Sequence, residues 1–218
     1  MPIGVSVATQ ATIYKKLKCR AIGEHSTLRT TYYAPGYPIL ATFGSIVMNP
    51  LIRAIISWAI AIWCCYIFLA SLPYKFTRHP DTQHIFGTIG EWLGSTIMQP
   101  LGELFTAFGA YVVGGFELIT SLILLAPAVL WAIRKLSGKA TVGIRPRWHA
   151  YGGLMASAVM AGAVFFHLVT PLGIEVIHNG QSDGGWLFFV AVSIAVLGVV
   201  LFLINIGAGR QMVNPDHS

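Results

Sequence analysis

Three polar side chains lie within or beside strongly apolar sequence and have the chemistry to exchange a proton: Glu117, His167 and Lys75. A carboxylate deep in a bilayer is costly unless it is protonated or paired. A Glu117–His167 pair joined by Lys75 would stabilise all three groups and would offer hydrogen bonds to a quinone headgroup. The alternative is structural, with Glu117 in an interhelical hydrogen bond and His167 as a packing residue.

A second group of polar residues, His79, Asp81 and His84, lies in the segment after Lys75. Histidine and aspartate are acceptable zinc ligands. Their spacing is not specific for a metal, and a solvated helix start explains them as well. The sequence therefore predicts no metal site, and these three residues are its only weak candidates for one.

The elements that carry these residues are strongly apolar. The chain has 218 residues, of which 55% are hydrophobic and only 10% are charged, whereas soluble domains carry about 25% charged residues. Four runs of 21 to 30 residues hold at most one charge each, and about 20 apolar residues cross a bilayer. We predict an all-α, integral membrane four-helix bundle. Its spans cover roughly residues 53–73, 105–133, 148–176 and 185–208.

The basic residues alternate along the chain as four spans require. Lys and Arg number six up to Arg53, two in the first loop, five in the second, none in the third and one in the C-terminal tail. Basic loops mark the cytoplasmic side of a membrane protein, so both termini should face the cytoplasm or the matrix. The net charge of +6 therefore does not predict nucleic-acid binding.

The chain divides into three parts by composition. Residues 1–52 form a basic, hydroxyl-rich tail ending in a short apolar segment that would lie at the membrane interface. Residues 53–209 form the transmembrane domain, and residues 210–218 a short C-terminal tail. The first part is either a transit-like segment or, as we favour, a tail that contacts membrane lipids or another membrane-protein subunit.

The first loop, residues 74–103, predicts an amphipathic helix at the membrane surface. Asp81 is its predicted N-cap, and its apolar residues are Ile85, Phe86, Ile89, Trp92 and Leu93. Pro73 is predicted to end the first span. The third loop is acidic, with Glu175, His178 and Asp183, and should lie on the same side as the first.

Two spans predict packing faces. In the third span, residues recur at spacings of three and four from His149 to His167, and most of those between are small: Gly153, Ala156, Met160 and Ala163. Such a face allows close helix approach. Because 18 residues separate the two histidines, they lie at opposite ends of the span and cannot share a metal or haem. His149 is expected at the membrane interface. In the second span, Glu117 shares its face with Ala110, Gly114, Thr120 and Ser121.

Several segments in order resemble the DoxX-like family of small four-helix membrane proteins, and together they cover about residues 53 to 206. They are KFT at 75–77, IFGTIGEW at 85–92, VVGGFELITSLILLAP at 112–127, GGLMASAVMAGAVFFHL at 152–168, LGIEV at 172–176 and DGGWLFFVA at 183–191. The resemblance implies a four-helix bundle. Some members of that family are described as the membrane subunit of a thiosulfate:quinone oxidoreductase, and others as partners of redox maturation systems.

These observations favour a non-catalytic accessory subunit of a larger membrane complex, such as a respiratory or other electron-transfer complex. One alternative is a quinone-linked redox component that uses Glu117, His167 and Lys75; a bound lipid is another ligand that the bundle would accept. A second alternative is a small oligomeric transporter or proton path. The expected location is the bacterial inner membrane, with the mitochondrial inner membrane as the alternative.

Overall fold

The computed structural model of the chain describes residues 48–139 and 143–206. Within them the chain forms five helices and one short hairpin: α1 Pro50–Phe76, α2 Pro80–Thr96, α3 Gln99–Leu136, α4 Arg145–Val169, β1 Ile177–His178, β2 Gln181–Ser182 and α5 Trp186–Ile206. The helices α1, α3, α4 and α5 are long and apolar enough to cross a membrane. The predicted four-helix membrane bundle is therefore confirmed, while the tail calls on residues 1–47 and 207–218 lie outside the described residues.

Helix α1 begins and ends differently from the prediction. Asn49 caps it, since its side chain accepts a hydrogen bond of 2.9 Å from the backbone N–H of Leu51, and Pro50 takes the first helical position. Pro73 does not end the helix, which continues to Phe76. Proline is tolerated inside a spanning helix when other contacts hold the chain, and Lys75 in the next turn makes such a contact with Glu117.

Helix α2 is confirmed, but its cap and its surroundings differ from the prediction. His79 is the N-cap and Asp81 lies in the first turn. The apolar side of α2 is buried against α3 and against Leu172 and Val176 of the loop after α4. The helix approaches α3 so closely that a Cβ on Gly102 would collide with the backbone carbonyl of Gly90. The protein itself therefore covers the side that we predicted to face the membrane.

The predicted packing faces of α3 and α4 are confirmed. On α3, Gly114, Glu117, Thr120 and Ser121 are buried. On α4, the buried residues include His149, Gly153, Ala156, Met160 and His167. Helix α4 ends at Val169, so residues 170–176 form a loop and do not extend the span as predicted.

Helices α4 and α5 make the most extensive contact in the bundle. A Cβ on Gly153 would lie 2.7 Å from the carbonyl oxygen of Gly198, and a Cβ on Gly198 would lie 2.9 Å from the backbone nitrogen of Ser157. The two backbones meet because neither glycine has a side chain. Around this contact the fully buried side chains of Phe68, Leu124, Ile194 and Leu201 form the core.

The bundle has two ends that differ in composition. We call the basic end the one formed by the start of α1, the end of α3 and the start of α4, where Arg53, Arg134 and Arg145 lie. We call the hairpin end the opposite one, formed by the end of α1, α2, the start of α3 and the β1–β2 hairpin.

Candidate functional site

The candidate site lies at the hairpin end, where Glu117 of α3 meets Lys75 and Ser71 of α1. The Glu117 carboxylate is 2.8 Å and 3.0 Å from the Lys75 ammonium through its two oxygens. Its Oε2 also lies 2.7 Å from the Ser71 hydroxyl. Ser71 and Lys75 share one side of α1 because they are four residues apart. We call these three residues the Lys75 cluster.

Within the Lys75 cluster, the charged groups form their hydrogen bonds with one another. The ammonium of Lys75 has three N–H donors, and it contacts both oxygens of Glu117 and, at 2.9 Å, the Ser71 hydroxyl. The Ser71 hydroxyl also lies 2.7 Å from the Phe68 carbonyl oxygen, and its single proton serves either that oxygen or Glu117. The Glu117 side chain is 3% exposed and that of Lys75 16%. The carboxylate is thus paired inside the protein.

Glycine makes room for this cluster on α3. A Cβ on Gly114 would lie 3.3 Å from the Phe76 ring and 3.4 Å from Cδ of Lys75. The aliphatic stem of Lys75 therefore lies against the α3 backbone while its ammonium reaches Glu117. Glu117 and Lys75 were predicted from the sequence but Ser71 was not, although its position four residues before Lys75 indicates the shared face.

His167 does not join the cluster as we expected. Its Nδ1 lies 2.7 Å from the carbonyl oxygen of Gly173, and its ring meets Phe188 edge to face at 5.7 Å. Gly173 has a φ of 69°, a backbone conformation that glycine adopts without strain. His167 therefore supports the loop after α4, and the expected Glu117–His167 pair does not form.

Asp183 organises the rest of that loop. Its carboxylate accepts hydrogen bonds from three backbone N–H groups, those of Val176, Gly185 and Leu187, at 2.8 to 3.0 Å. Burial alone would raise the pKa of Asp183, but these N–H groups and the nearby His167 lower it below its usual value. Hydrogen bonds to a carboxylate favour its charged form.

The three weak metal candidates lie close to the β1–β2 hairpin. Asp81 is 2.6 Å from Nδ1 of His178 through Oδ1 and 3.3 Å from Nδ1 of His79 through Oδ2. His84 does not bond to Asp81 but stacks on His178, with ring centroids 4.7 Å apart. Among residues 48–139 and 143–206, no group of three or more His, Cys, Asp or Glu side chains is arranged to hold a metal ion.

The hairpin that brings His178 to Asp81 has an Asn-Gly turn, a sequence signal from which it could have been predicted. Asn179 and Gly180 form its turn, and both have a positive φ, 52° and 77°. An Asn-Gly pair between two short extended segments is the strongest local signal of a tight hairpin. It would have predicted the fold of the third loop, although not its contact with α2.

At the basic end, His149 is buried inside the protein, and its place at the depth of the membrane interface stays a prediction. The side chain of His149 is fully buried, and Trp58 of α1 meets its ring edge to face at 4.7 Å. Neither ring nitrogen has a hydrogen-bond partner among the described residues. The backbone of Leu124 approaches the ring, but without the geometry of a hydrogen bond.

Comparisons of the whole chain with family models, with curated proteins and with solved structures found no match, so the resemblance to DoxX-like proteins stays a prediction.

Proposed function

We propose that this chain is a DoxX-like accessory subunit, without catalysis of its own, in a larger membrane complex of respiratory or other electron-transfer type. The bacterial inner membrane is its proposed location. The observation that carries the proposal is the closed Lys75 cluster. In the described part of the chain, Glu117 is the only acidic side chain buried among the four long helices. Its ion pair with Lys75 joins α1 to α3.

A working proton or quinone site needs a group that is free to change partners. In the Lys75 cluster, every donor of the ammonium is already in use, and the carboxylate is bound through both oxygens. Deprotonating Lys75 or protonating Glu117 would break an ion pair that holds two helices together. The arrangement therefore favours a structural role and gives no support to the quinone-linked alternative.

A second observation supports docking to another subunit. Helix α3 has 38 residues, which at 1.5 Å per residue is about 57 Å, against about 30 Å for the hydrocarbon core. Its first 15 residues precede Gly114, the level at which α3 meets Lys75. Along this extension and into the bundle runs a row of exposed apolar side chains: Leu104, Phe108, Val112, Phe116, Ile119 and Leu122.

We call these six residues the α3 row. Exposed apolar residues within the bilayer are covered by lipid. Since α3 is longer than a bilayer crossing requires, we place its first turns, including the start of the predicted span 105–133, outside the hydrocarbon core, where an exposed apolar row favours contact with protein. Leu104 and Phe108 are more than half exposed, at 58% and 55%. We propose that this part of the α3 row contacts the partner subunit.

Photo-cross-linking in native membranes tests the proposal. A photoreactive residue is placed at Phe108 and, as a matched control, at Val196 of α5, which is 57% exposed in the middle of a span. We expect Phe108 to capture one protein in stoichiometric amounts, and that protein to co-purify in mild detergent, while Val196 captures lipid. Lipid alone at both positions, together with an isolated chain after purification, would overturn the proposal.

A parallel measurement checks the alternative. Quinone is extracted from the purified protein and from Glu117→Gln and His167→Ala variants. We expect no bound quinone in any of them. Stoichiometric quinone that is lost in both variants would replace the accessory role with the redox role.

A further inference from the structure

The arginines at the basic end lack partners in the described part of the chain. Arg53 begins α1 and Arg145 begins α4, and the charge of Arg53 acts directly on Arg145. Nε of Arg53 and Nη1 of Arg145 are both buried and have no hydrogen-bond partner among the described residues. A buried guanidinium N–H without an acceptor is strongly unfavourable. An anion at this end of the bundle would provide the acceptor that both groups need.

A cavity adjoins these groups. It has a volume of about 420 Å³ and lies between the end of α3 and the start of α4. Two of its lining residues are cationic, Arg134 and Arg145, and two are aromatic, Trp58 and Trp131; Pro127, Gly143 and Ile144 complete the lining. The cavity therefore combines positive charge with apolar walls.

The start of α4 adds to the positive potential. Ile144 is its N-cap and provides no side-chain hydrogen bond, so the first backbone N–H groups of this 25-residue helix have no side-chain cap. The N-terminus of a helix attracts anions through these N–H groups and through the helix dipole. It acts here together with the two arginines that line the cavity.

The acids of the described chain cannot neutralise this site. Six of the eight acidic residues lie between Asp81 and Asp183, and all six belong to the hairpin half of the molecule. The other two, Glu24 and Asp216, lie outside the described residues. The loop between α3 and α4 contains Lys139 and no acid.

We propose that the cavity binds the phosphate group of an anionic phospholipid, with Arg134 and Arg145 contacting the phosphate and Arg53 adding positive charge at the same end of the bundle. Phosphate matches the planar donor array of arginine. A lipid is the source to which we commit, because the cavity lies at the end of three spanning helices and has indole walls. Free phosphate would leave those walls uncovered. The proposal does not depend on the accessory role.

The test compares lipid binding by the full chain and by two matched variants. Arg145→Gln removes a lining cation, whereas Arg147→Gln removes an exposed one two residues away. Each protein is reconstituted in nanodiscs of equal phosphatidylglycerol and phosphatidylcholine, re-extracted in mild detergent, and its retained lipids are measured by mass spectrometry. We expect the full chain and Arg147→Gln to retain about one phosphatidylglycerol, and Arg145→Gln to bind it about tenfold more weakly.

Thermal unfolding in detergent gives a second readout that does not require a stable variant. Adding phosphatidylglycerol should raise the unfolding temperature of the full chain, whereas phosphatidylcholine and inorganic phosphate should leave it unchanged. An equal rise with inorganic phosphate would replace the lipid with a free anion. No preference for phosphatidylglycerol over phosphatidylcholine in either readout would overturn the proposal.

The remaining acids of the chain provide the last control. If Glu24 or Asp216 filled the site, Glu24→Gln or Asp216→Asn would lower the unfolding temperature as much as Arg145→Gln. Phosphatidylglycerol would then have no effect on the native chain. That combination would also overturn the proposal, whereas unchanged stability in both variants would support an anion from outside the chain.

Discussion

The buried charged groups at the two ends of the bundle differ in whether they have partners. At the hairpin end, Glu117 is paired with a lysine from α1 and Asp183 with three backbone N–H groups. At the basic end, buried nitrogens of Arg53, Arg145 and His149 have no partner among the described residues. The buried acids of the hairpin end therefore have their partners within the described chain, whereas we propose that an anion is the partner of the buried arginine nitrogens at the basic end.

This difference between the ends applies to charged groups and not to neutral polar groups. Neutral polar groups at the basic end do find partners, since Nδ2 of Asn205 lies 2.9 Å from the Ser57 hydroxyl and 2.9 Å from the Leu201 carbonyl oxygen. The first of these bonds joins α5 to α1 in a fully buried position. Within the described part of the chain, the buried side-chain nitrogens left without a partner are those of Arg53, Arg145 and His149, which favours a site for a ligand over poor packing.

The largest effect is expected from Lys75→Met. It leaves the buried Glu117 carboxylate without its cation, and breaking a buried ion pair in this way costs about 3–5 kcal/mol. Chemical denaturation in detergent micelles measures the loss. Glu117→Gln should cost less, because Lys75 is at the end of α1 and its ammonium can turn toward water.

A double-mutant cycle sharpens this prediction. Lys75→Met combined with Glu117→Leu should be more stable than Lys75→Met alone, since no unpaired charge remains. If the stability losses of Lys75→Met and Glu117→Leu simply add in the double variant, the two side chains are not energetically coupled. The Lys75 cluster would then not hold the hairpin end together.

The next effect concerns the α4–α5 contact, which has no charged residue at its closest point. Gly153→Ala would press a methyl group against the Gly198 carbonyl, 2.7 Å away, and such overpacking costs about 1–3 kcal/mol. Gly162→Ala on the same helix is the control, because nothing lies within 4 Å of its Cβ position. It should be neutral or slightly stabilising, since alanine favours helix. Equal thermal unfolding of both variants would contradict the close contact.

The same substitution at both ends gives a direct contrast. His167→Leu removes the hydrogen bond to Gly173 and should cost about 1 kcal/mol. His149→Leu removes two unpartnered ring nitrogens and should leave stability unchanged or raise it, because an apolar group of similar size suits the site better. Differential scanning calorimetry compares the two. A large loss in His149→Leu would mean that this ring has a partner and that the basic end is less incomplete than we describe.

The smallest effect is expected at Asp183 and depends on pH. Its pKa is lower in the folded protein than the unfolded value of about 3.9. Its contribution is therefore fully present above that unfolded value and is lost as the pH falls through the lowered folded pKa. Asp183→Asn should be less stable than the native chain at pH 6, by about 1 kcal/mol.

As the pH falls from the unfolded pKa value of Asp183 toward pH 3, the difference in stability between the two proteins should shrink. Glu91→Gln, at an exposed position of α2, is the control and should match the native chain at pH 6. Thermal unfolding at both pH values distinguishes the variants. A constant difference between Asp183→Asn and the native chain from pH 6 to pH 3 would show that the carboxylate's charge does not hold the loop.

Long-range properties of the sequence predicted the bundle well. The runs with at most one charge predicted all four spanning helices, and the three-four spacing predicted the buried face of α4. These features follow from burial and periodicity, which act over many residues. Local signals were less reliable. Pro73 would end an isolated helix, but the tertiary contact of Lys75 carries α1 three residues further.

Contacts between distant segments could not be derived from one sequence. Glu117 was expected to pair with His167, with Lys75 joining them, and only the packing of α1 against α3 shows that Lys75 reaches Glu117 without His167. The burial of His149 depends on Trp58, which lies 91 positions earlier in the chain. Likewise, the burial of the Arg53 and Arg145 nitrogens depends on how the ends of the helices pack together.

The Lys75 cluster also has a consequence for how the chain enters the membrane during synthesis. Glu117 is synthesised after α1, and an unpaired acid in an inserting segment is costly, by about 2.5–3.5 kcal/mol at the centre of the bilayer and less toward its surface. Helix α1 supplies the counter-charge that removes this cost, so α3 should enter the bilayer more efficiently behind α1 than alone. Glycosylation mapping of α3 in the presence and absence of α1, and with Lys75→Met, would reveal that order of assembly.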